Sequence, residues 1–500
     1  MIGEKKFFLW VLIFSSCIRL LFASLVPITG DEAYFIVWAK HLNYGYYEHP
    51  PMIGWIMWLL SFLGDNIFVY RIFPLISVPI IALLMVKILQ EFDEKKAYLC
   101  GSVFLLSPVS ILNVLSVNDV PLIFFTFLSG FFFYRAVKKN KITDAILSGF
   151  SGGCAFLSKY FFVLFILALL GFCTISRKKE LWKVFSFFMF AALPLMFINL
   201  LWNYNNCWLN VMFNLFFRNK NLSIDFANVF IFIIEQIFLM TPFLAFVFFK
   251  DRFFWRKVKE NKNIILFWYF FIVPLVFFSI LSLTKKIGLH WMASFYPFFF
   301  ILLIFSNEKI IKKAIRYNVY FSVIFSILVM TIVFLPVETF RSLKKYPEIV
   351  MFMKPVDLCK KICERADDRI LASTGYTETS VFSYYCNREF VLFGSMSRSG
   401  RYFDFISDLR DYDGRNFLIV SLNERDTNRF AELFKKINVE IIETYGARFF
   451  FIYGDSFIFN NYRELFLRKL LDAYYTFPFC FPSGRNFFRE RYFPENLFSK

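Results

Sequence analysis

The sequence predicts a polytopic α-helical membrane protein followed by a smaller soluble α/β domain. Three observations carry that prediction. Hydrophobic residues make up 58% of the 500, apolar runs recur at bilayer-crossing length, and the composition turns mixed and charged after residue 337. A hydrocarbon core about 30 Å thick takes roughly 20 apolar residues of helix. The formal charge of +18 falls in short basic bursts between apolar runs. That is the pattern of cytoplasmic loops, not of a nucleic-acid-binding stripe.

The first apolar run, 7–27, follows Lys5 and Lys6. A secretory signal would share the basic start. No Ala-x-Ala site follows, however, and the run is longer than a usual signal core, so an uncleaved helix is expected. Further spans are expected at 71–90, 98–116, 120–137, 144–158, 160–176, 181–203, 229–249, 263–283, 290–306 and 317–337. Basic clusters stand at Lys95-Lys96, Lys138-Lys139, Arg177 to Lys179, Arg252 to Lys262 and Lys309 to Arg316. If all are cytoplasmic, an even number of crossings separates each from the next. Residues 98–137 then form a hairpin with Asn118-Asp119 at its outer tip, and 144–176 another with Lys159 at its tip. Residues 52–63 follow Pro50-Pro51 and are too short to span, so they should lie along or dip into the outer face. The outcome is eleven spans, an inner N-terminus and an outer C-terminus.

Beyond 337, a strand is expected at 417–421, a helix at 426–436, and strands at 439–444 and 448–453. The nine cysteines contain no CxxC pair and no Cys/His metal spacing. Cys17, Cys100, Cys154 and Cys173 read as small hydrophobes. Cys359 and Cys363, four apart, are poorly spaced for each other, which leaves Cys386 and Cys480 as partners to consider. The 76 Phe read as lipid-facing or packing side chains.

The parity rule also gathers titratable groups. His41, His49 and His290, all the histidines of the chain, fall on the outer side with Asp31, Glu32, Glu48, Asp119, Lys159, Arg218, Lys285 and Lys286. Loop solvation is the plain alternative, but charge at a membrane surface is costly unless it binds or reacts. No Gly-rich nucleotide loop is present. Carboxylates of this kind can take a proton from a hydroxyl, and the cations can neutralise a departing phosphate. Such a set suits a substrate carrying its own lipid anchor and phosphate.

Asp31-Glu32-Ala33-Tyr34 and Gly45-Tyr46-Tyr47-Glu48-His49-Pro50-Pro51 resemble the first outer loop of the glycosyltransferase family 39-type proteins. These GT-C enzymes are bacterial relatives of protein O-mannosyltransferases and of the lipid A aminoarabinose transferase. The resemblance runs on through Arg71 with Pro74, Asn118-Asp119-Val120-Pro121, Leu157-Ser158-Lys159-Tyr160, Trp202-Asn203 and His290-Trp291 with Tyr296-Pro297. In the tail it includes Tyr376, Ser380, Phe382 to Tyr385 and Arg401 to Phe405.

What the resemblance implies is a GT-C transmembrane catalytic domain at 1–337 with periplasmic juxtamembrane helices, and a periplasmic α/β domain at 338–500. It implies inverting transfer of a sugar from a polyprenyl-phosphate carrier to lipid A, another glycolipid or a protein, on the periplasmic side of the inner membrane. Asp31 becomes the base or the group orienting the acceptor. Glu32 is a supporting carboxylate or a helix cap. Asp119 is a second acidic position, or else the N-cap of the helix that follows. Asn118 departs from the family's usual Thr or Pro there.

Donor phosphate and substrate contacts fall by resemblance to Glu48, His49, Lys159, Arg71, Trp202, Asn203, Arg218, Lys285 and His290. A divalent metal near Glu48 and His49 is left open, and some relatives carry Lys at the place of His49. Among Arg218, Lys220, Lys285 and Lys286, one or two are expected on phosphate and the rest on headgroups. Trp202, Trp208 and Trp291 are expected in an interfacial belt first and as sugar platforms second. Arg19, inside the first span, pairs with an outer carboxylate or snorkels. The rival reading is a transporter or flippase of a lipid-linked sugar. It would favour mid-membrane sites and an internal repeat, neither visible here. No nucleic acid partner is expected; the sugar, the acceptor and the oligomeric state are not specified by the sequence.

Overall fold

Long apolar helices are what runs of Leu, Ile and Phe form when backbone groups must be satisfied within the segment itself. The computed structural model describes residues 2–217, 223–261, 264–476 and 484–497. Among the described residues, five helices are long and apolar enough to cross a membrane: Gly3–Leu25, Ile67–Leu89, Asp119–Lys139, Lys179–Asn205 and Glu308–Phe334. Shorter apolar helices include Met52–Ser61, Ile142–Ser158, Phe162–Ser176 and Phe226–Met240. The chain divides into two units. The first comprises Met1–Val26, Leu60–Ile198 and Asn221–Ile332; the second comprises Pro27–Leu59, Asn199–Lys220 and Val333–Lys500.

In the first unit, three expected spans are broken. Residues 98–116 give the helix Glu94–Leu106, capped by Asp93, and the short helix Pro108–Ile111. Pro108 holds Ser107 extended at ψ 155°. The run 229–249 turns at Thr241, φ 72°, just before Pro242. The run 290–306 is built of 3₁₀ turns around the helix Tyr296–Leu302. At 98–116 and 229–249, hydropathy overstated the helix, because proline breaks the backbone without making it polar.

Asn118-Asp119 and Lys159, the expected tips, stand at helix ends, Asp119 opening Asp119–Lys139 and Lys159 following Ile142–Ser158. At their other ends these two helices join through Asn140 in the left-handed region, φ 51°. Ser129 Oγ donates to Ser148 O at 3.0 Å and Ser148 Oγ returns the bond to Ser129 O at 2.8 Å. Such reciprocal bonds between small residues let apolar helices approach closely. Around them the phenylalanines form a core: the Phe165 and Phe270 rings lie 4.2 Å apart, and Phe270 and Phe298 4.9 Å.

Arg19 takes neither of its expected roles. It is fully buried, and its guanidinium donates to the carbonyls of Leu75 at 3.1 Å, Asn113 at 3.0 Å, and Pro74. The reason lies in Pro79, inside the helix Ile72–Leu89. Proline has no N–H to offer the carbonyl four residues back, which is that of Leu75.

The second unit contains a five-stranded sheet in the order β2-β1-β3-β5-β4. Its strands are β1 Ile370–Ser373, β2 Val391–Leu392, β3 Phe417–Ser421, β4 Phe434–Thr444 and β5 Ala447–Phe457. β1 lies parallel to β2 and β3, with the helix Tyr376–Tyr385 connecting β1 to β2, while β5 is antiparallel to β3 and β4. The expected helix at 426–436 is a single short turn, Arg425–Arg429, and Phe434 to Lys436 already belong to β4. β4 and β5 meet across Tyr445 and Gly446, both at positive φ (54° and 73°), the conformation that a two-residue hairpin favours. A disulfide joins Cys359 to Cys386, leaving Cys363 exposed and free; Cys480 lies outside the described residues. Closing a loop of that size contributes about 3 kcal/mol.

Candidate active site

In the second unit, the helix Gly30–Lys40 begins with a capping box. Thr29 Oγ1 accepts from the Glu32 amide, and the Glu32 carboxylate accepts from the Thr29 amide at 3.1 Å. Of the two roles expected for Glu32, the structure shows the cap. Asp31, one residue earlier, stays exposed in the positive first turn of the same helix. Tyr376 Oη donates to its Oδ1 at 3.4 Å. Burial, then the nearby Asp31 charge, push the Tyr376 phenol up to about 12, so it remains a donor at neutral pH.

Glu48 is buried and heavily engaged. Tyr34 Oη donates to its carboxylate at 3.0 Å, and the amides of Gly400 and Arg401 donate to Oε1 at 2.7 and 3.2 Å. Asn214 holds the Glu48 carbonyl at 2.9 Å. Burial pushes the Glu48 carboxyl up to about 7, against the hydrogen bonds that favour its charged form. Gly400 is required there: its φ is 86°, and Tyr376 packs where a Cβ would go. His49 beside it is half-buried. No group of three or more His, Cys, Asp or Glu that could hold a metal occurs among the described residues.

Sequence reasoning had not assigned a contact to Tyr34, yet the signal was present. It stands three residues after Asp31 on one helix, while Glu48 needs a buried donor. The Gly400 amide could not have been read, because its partner lies 352 residues away.

Trp202, expected in a belt first and on substrate second, and Asn203, expected on substrate, are core residues of this unit. Trp202 is fully buried, packed on Phe405 and on Gly45, which has no room for a Cβ. Asn203 Oδ1 accepts from the Val211 amide at 3.1 Å, and Trp208 is buried too. Arg218 and Lys220 lie outside the described residues.

In the first unit, a second group forms where two helix ends meet. Asp119 opens the helix Asp119–Lys139, and Lys159 follows the end of Ile142–Ser158. Lys159 Nζ lies 2.8 Å from Asp119 Oδ1, with both side chains at most 10% exposed. His290 Nε2 stands 3.9 Å from Oδ2 of the same carboxylate and is open to solvent. The Lys159 ammonium also lies 5.0 Å from the Phe161 ring centre, Phe161 packs on Trp291 at 4.8 Å, and Lys285 stands 5.3 Å over Trp291. The N-cap reading of Asp119 fails: Asn118 is the cap residue, and Asp119 serves the ion pair. Trp291 is buried, again not in a belt. Arg71 is fully buried, donating to Ala23 O at 3.1 Å and Val26 O at 2.7 Å. It thus holds the end of the first helix, where a donor contact was expected.

Residues 48–202 match the family model described as dolichyl-phosphate-mannose-protein mannosyltransferase. Lipid A galacturonosyltransferase RgtD of Rhizobium johnstonii is 30% identical over 135 residues, covering 26% of this chain and 28% of its own length. The chain thus spans little more than a quarter of that curated relative. ArnT from Cupriavidus metallidurans bound to undecaprenyl phosphate shares 12% identity with a TM-score of 0.65, covering 90% of this chain and 98% of that one. Its apo form gives 0.64 over the same shares. Residues 48–202 thus match the sequence model of the mannosyltransferase family, and the chain shares the fold of ArnT.

Proposed function

We propose that this chain is a multi-pass inner-membrane glycosyltransferase. It moves a sugar from a polyprenyl-phosphate carrier to an envelope acceptor, either lipid A, another glycolipid or a protein, on the periplasmic side. The observation that carries this reading is the pair of Lys159 and His290 at the Asp119 carboxylate, with Lys285 over the neighbouring Trp291 ring. Lys159 is already held by Asp119, so the lysine is positioned before any anion arrives. Charge fixed in advance in this way is the main means by which a protein stabilises a departing phosphate. The names of the relatives agree in chemistry, since one is a lipid A glycosyltransferase and another was captured with undecaprenyl phosphate.

The reaction is a single displacement. Asp31 accepts the proton of the acceptor hydroxyl, whose oxygen forms a bond to the anomeric carbon. The bond from that carbon to the phosphate oxygen breaks, its electron pair leaving with polyprenyl phosphate, and the anomeric configuration inverts. Lys159, His290 and Lys285 receive that anion. The Cys359–Cys386 disulfide supports an oxidising, extracytoplasmic setting for the second unit.

Transfer from undecaprenyl-phosphate-linked sugar in proteoliposomes tests the reading. Asp31→Asn should lower kcat by at least about 100-fold with donor KM little changed. Lys159→Gln should chiefly weaken donor use. Wild-type turnover in Asp31→Asn would remove the assigned base.

A further inference from the structure

Among the described residues the sheet order ends at β4, so one side of that eleven-residue strand has no neighbouring strand. The closing pair Thr444–Ala447 fixes which residues face that side. Counting back from it, Thr444, Ile442, Glu440, Asn438 and Lys436 exchange backbone bonds with β5. Glu443, Ile441, Val439, Ile437 and Lys435 turn their N–H and C=O groups outward. Two contacts agree: Lys361 Nζ donates to Glu443 O at 2.7 Å, and the Val439 amide reaches only the adjacent Asn438 side chain at 3.0 Å.

The outward residues also share one face of the strand. Ile441 is 47% and Val439 37% exposed, and Lys435 and Glu443 flank them. A long edge with an apolar, β-branched centre is a template for a further strand.

We propose that β4 pairs antiparallel with β4 of a second copy of this chain, about a two-fold axis at Val439, fusing two sheets into one. The charge pattern selects this occupant and this register. Val439 then meets Val439, Ile437 meets Ile441, and Lys435 meets Glu443 at both ends. A slip of two residues sets Lys435 opposite Ile441 in one direction, or Glu443 opposite Ile437 in the other. All outward residues fall in hydrogen-bonded pairs only when odd numbers face odd numbers, as they do here, the Glu443 carbonyl using its second lone pair beside the bond from Lys361. Confinement to a membrane plane raises the effective concentration for such a contact.

The test is the mass of the full-length protein in detergent across a concentration series, with cross-linking in native membranes. Wild type should be dimeric. Lys435→Glu and Glu443→Lys should each weaken dimerisation at least tenfold by setting like charges opposite, and the double variant should restore it. Val439→Pro should give monomers, since it deletes an outward N–H and no bond to β5; an unchanged unfolding temperature shows that the fold is kept. A wild-type protein monomeric in both settings overturns the proposal, as does a dimer indifferent to these variants. Single variants that dissociate without rescue by the double variant overturn the register.

Discussion

At the scale of single residues, Glu48 makes the sharpest statement. Its carboxyl titrates near 7 when buried, against an ordinary value of 4.5. Below about 4.5 both folded and unfolded chains hold the proton. Between 4.5 and 7 the folded chain holds a proton that the unfolded chain has lost, so stability falls as pH rises through this window. The full difference is roughly 3 kcal/mol. Thermal unfolding of the wild type should therefore show a higher midpoint at pH 5 than at pH 8. Glu48→Gln should flatten that slope, because its amide oxygen can still accept from Gly400 and Arg401. A slope identical in both proteins would show that other groups control it.

Asp31 illustrates what was legible at this scale. An acidic pair after the first apolar run drew attention to the loop, and Thr29 with Glu32 has the spacing of a capping box. Arg71 and Trp202 were assigned to substrate because their neighbours matched a family pattern. Their burial was not visible, since nothing local says that an Arg will meet the carbonyls at the end of a helix.

At the scale of elements, the Asp119–Lys159 pair joins the start of one helix to the end of the next. Both partners are buried, so removing one deprives the other of its nearest opposite charge, at a cost of about 3–5 kcal/mol. Lys159→Met should lower the unfolding midpoint markedly, and Lys159→Met with Asp119→Asn should recover most of it. Transfer activity should stay lost in both. Recovery of activity in the double variant would reduce the pair to a structural clasp. The helices themselves were readable from hydropathy, and the tips at Asn118-Asp119 and Lys159 from charge parity. Breaks at Ser107 and Thr241 were signalled by Pro108 and Pro242, which a hydropathy window averages away. β3 was read with its bounds. β1 and β2, four and two residues long, were not, because so short a stretch carries no period.

At the scale of the molecule, chain segments distant in sequence share a unit: residues 27–59 and 199–220 group with the C-terminal segment. That grouping rests on contacts such as Gly400 to Glu48, which no window along the chain can reveal. Sidedness is testable through Cys363, the exposed free thiol of this unit. A membrane-impermeant maleimide should label it in intact spheroplasts, in a chain whose other free cysteines are replaced by serine. Labelling that requires permeabilisation would put this unit in the cytosol and remove the proposed reaction.

The guanidinium of Arg19 has a consequence for biogenesis. The first helix leaves the ribosome bearing a cation whose acceptors have not yet been made; the Leu75 carbonyl follows 56 residues later. Until the second long helix, with Pro79 inside it, arrives, the newborn segment has no resting place in hydrocarbon, so the two must enter the bilayer as a couple. Insertion order is thus written into a side chain far from any chemistry.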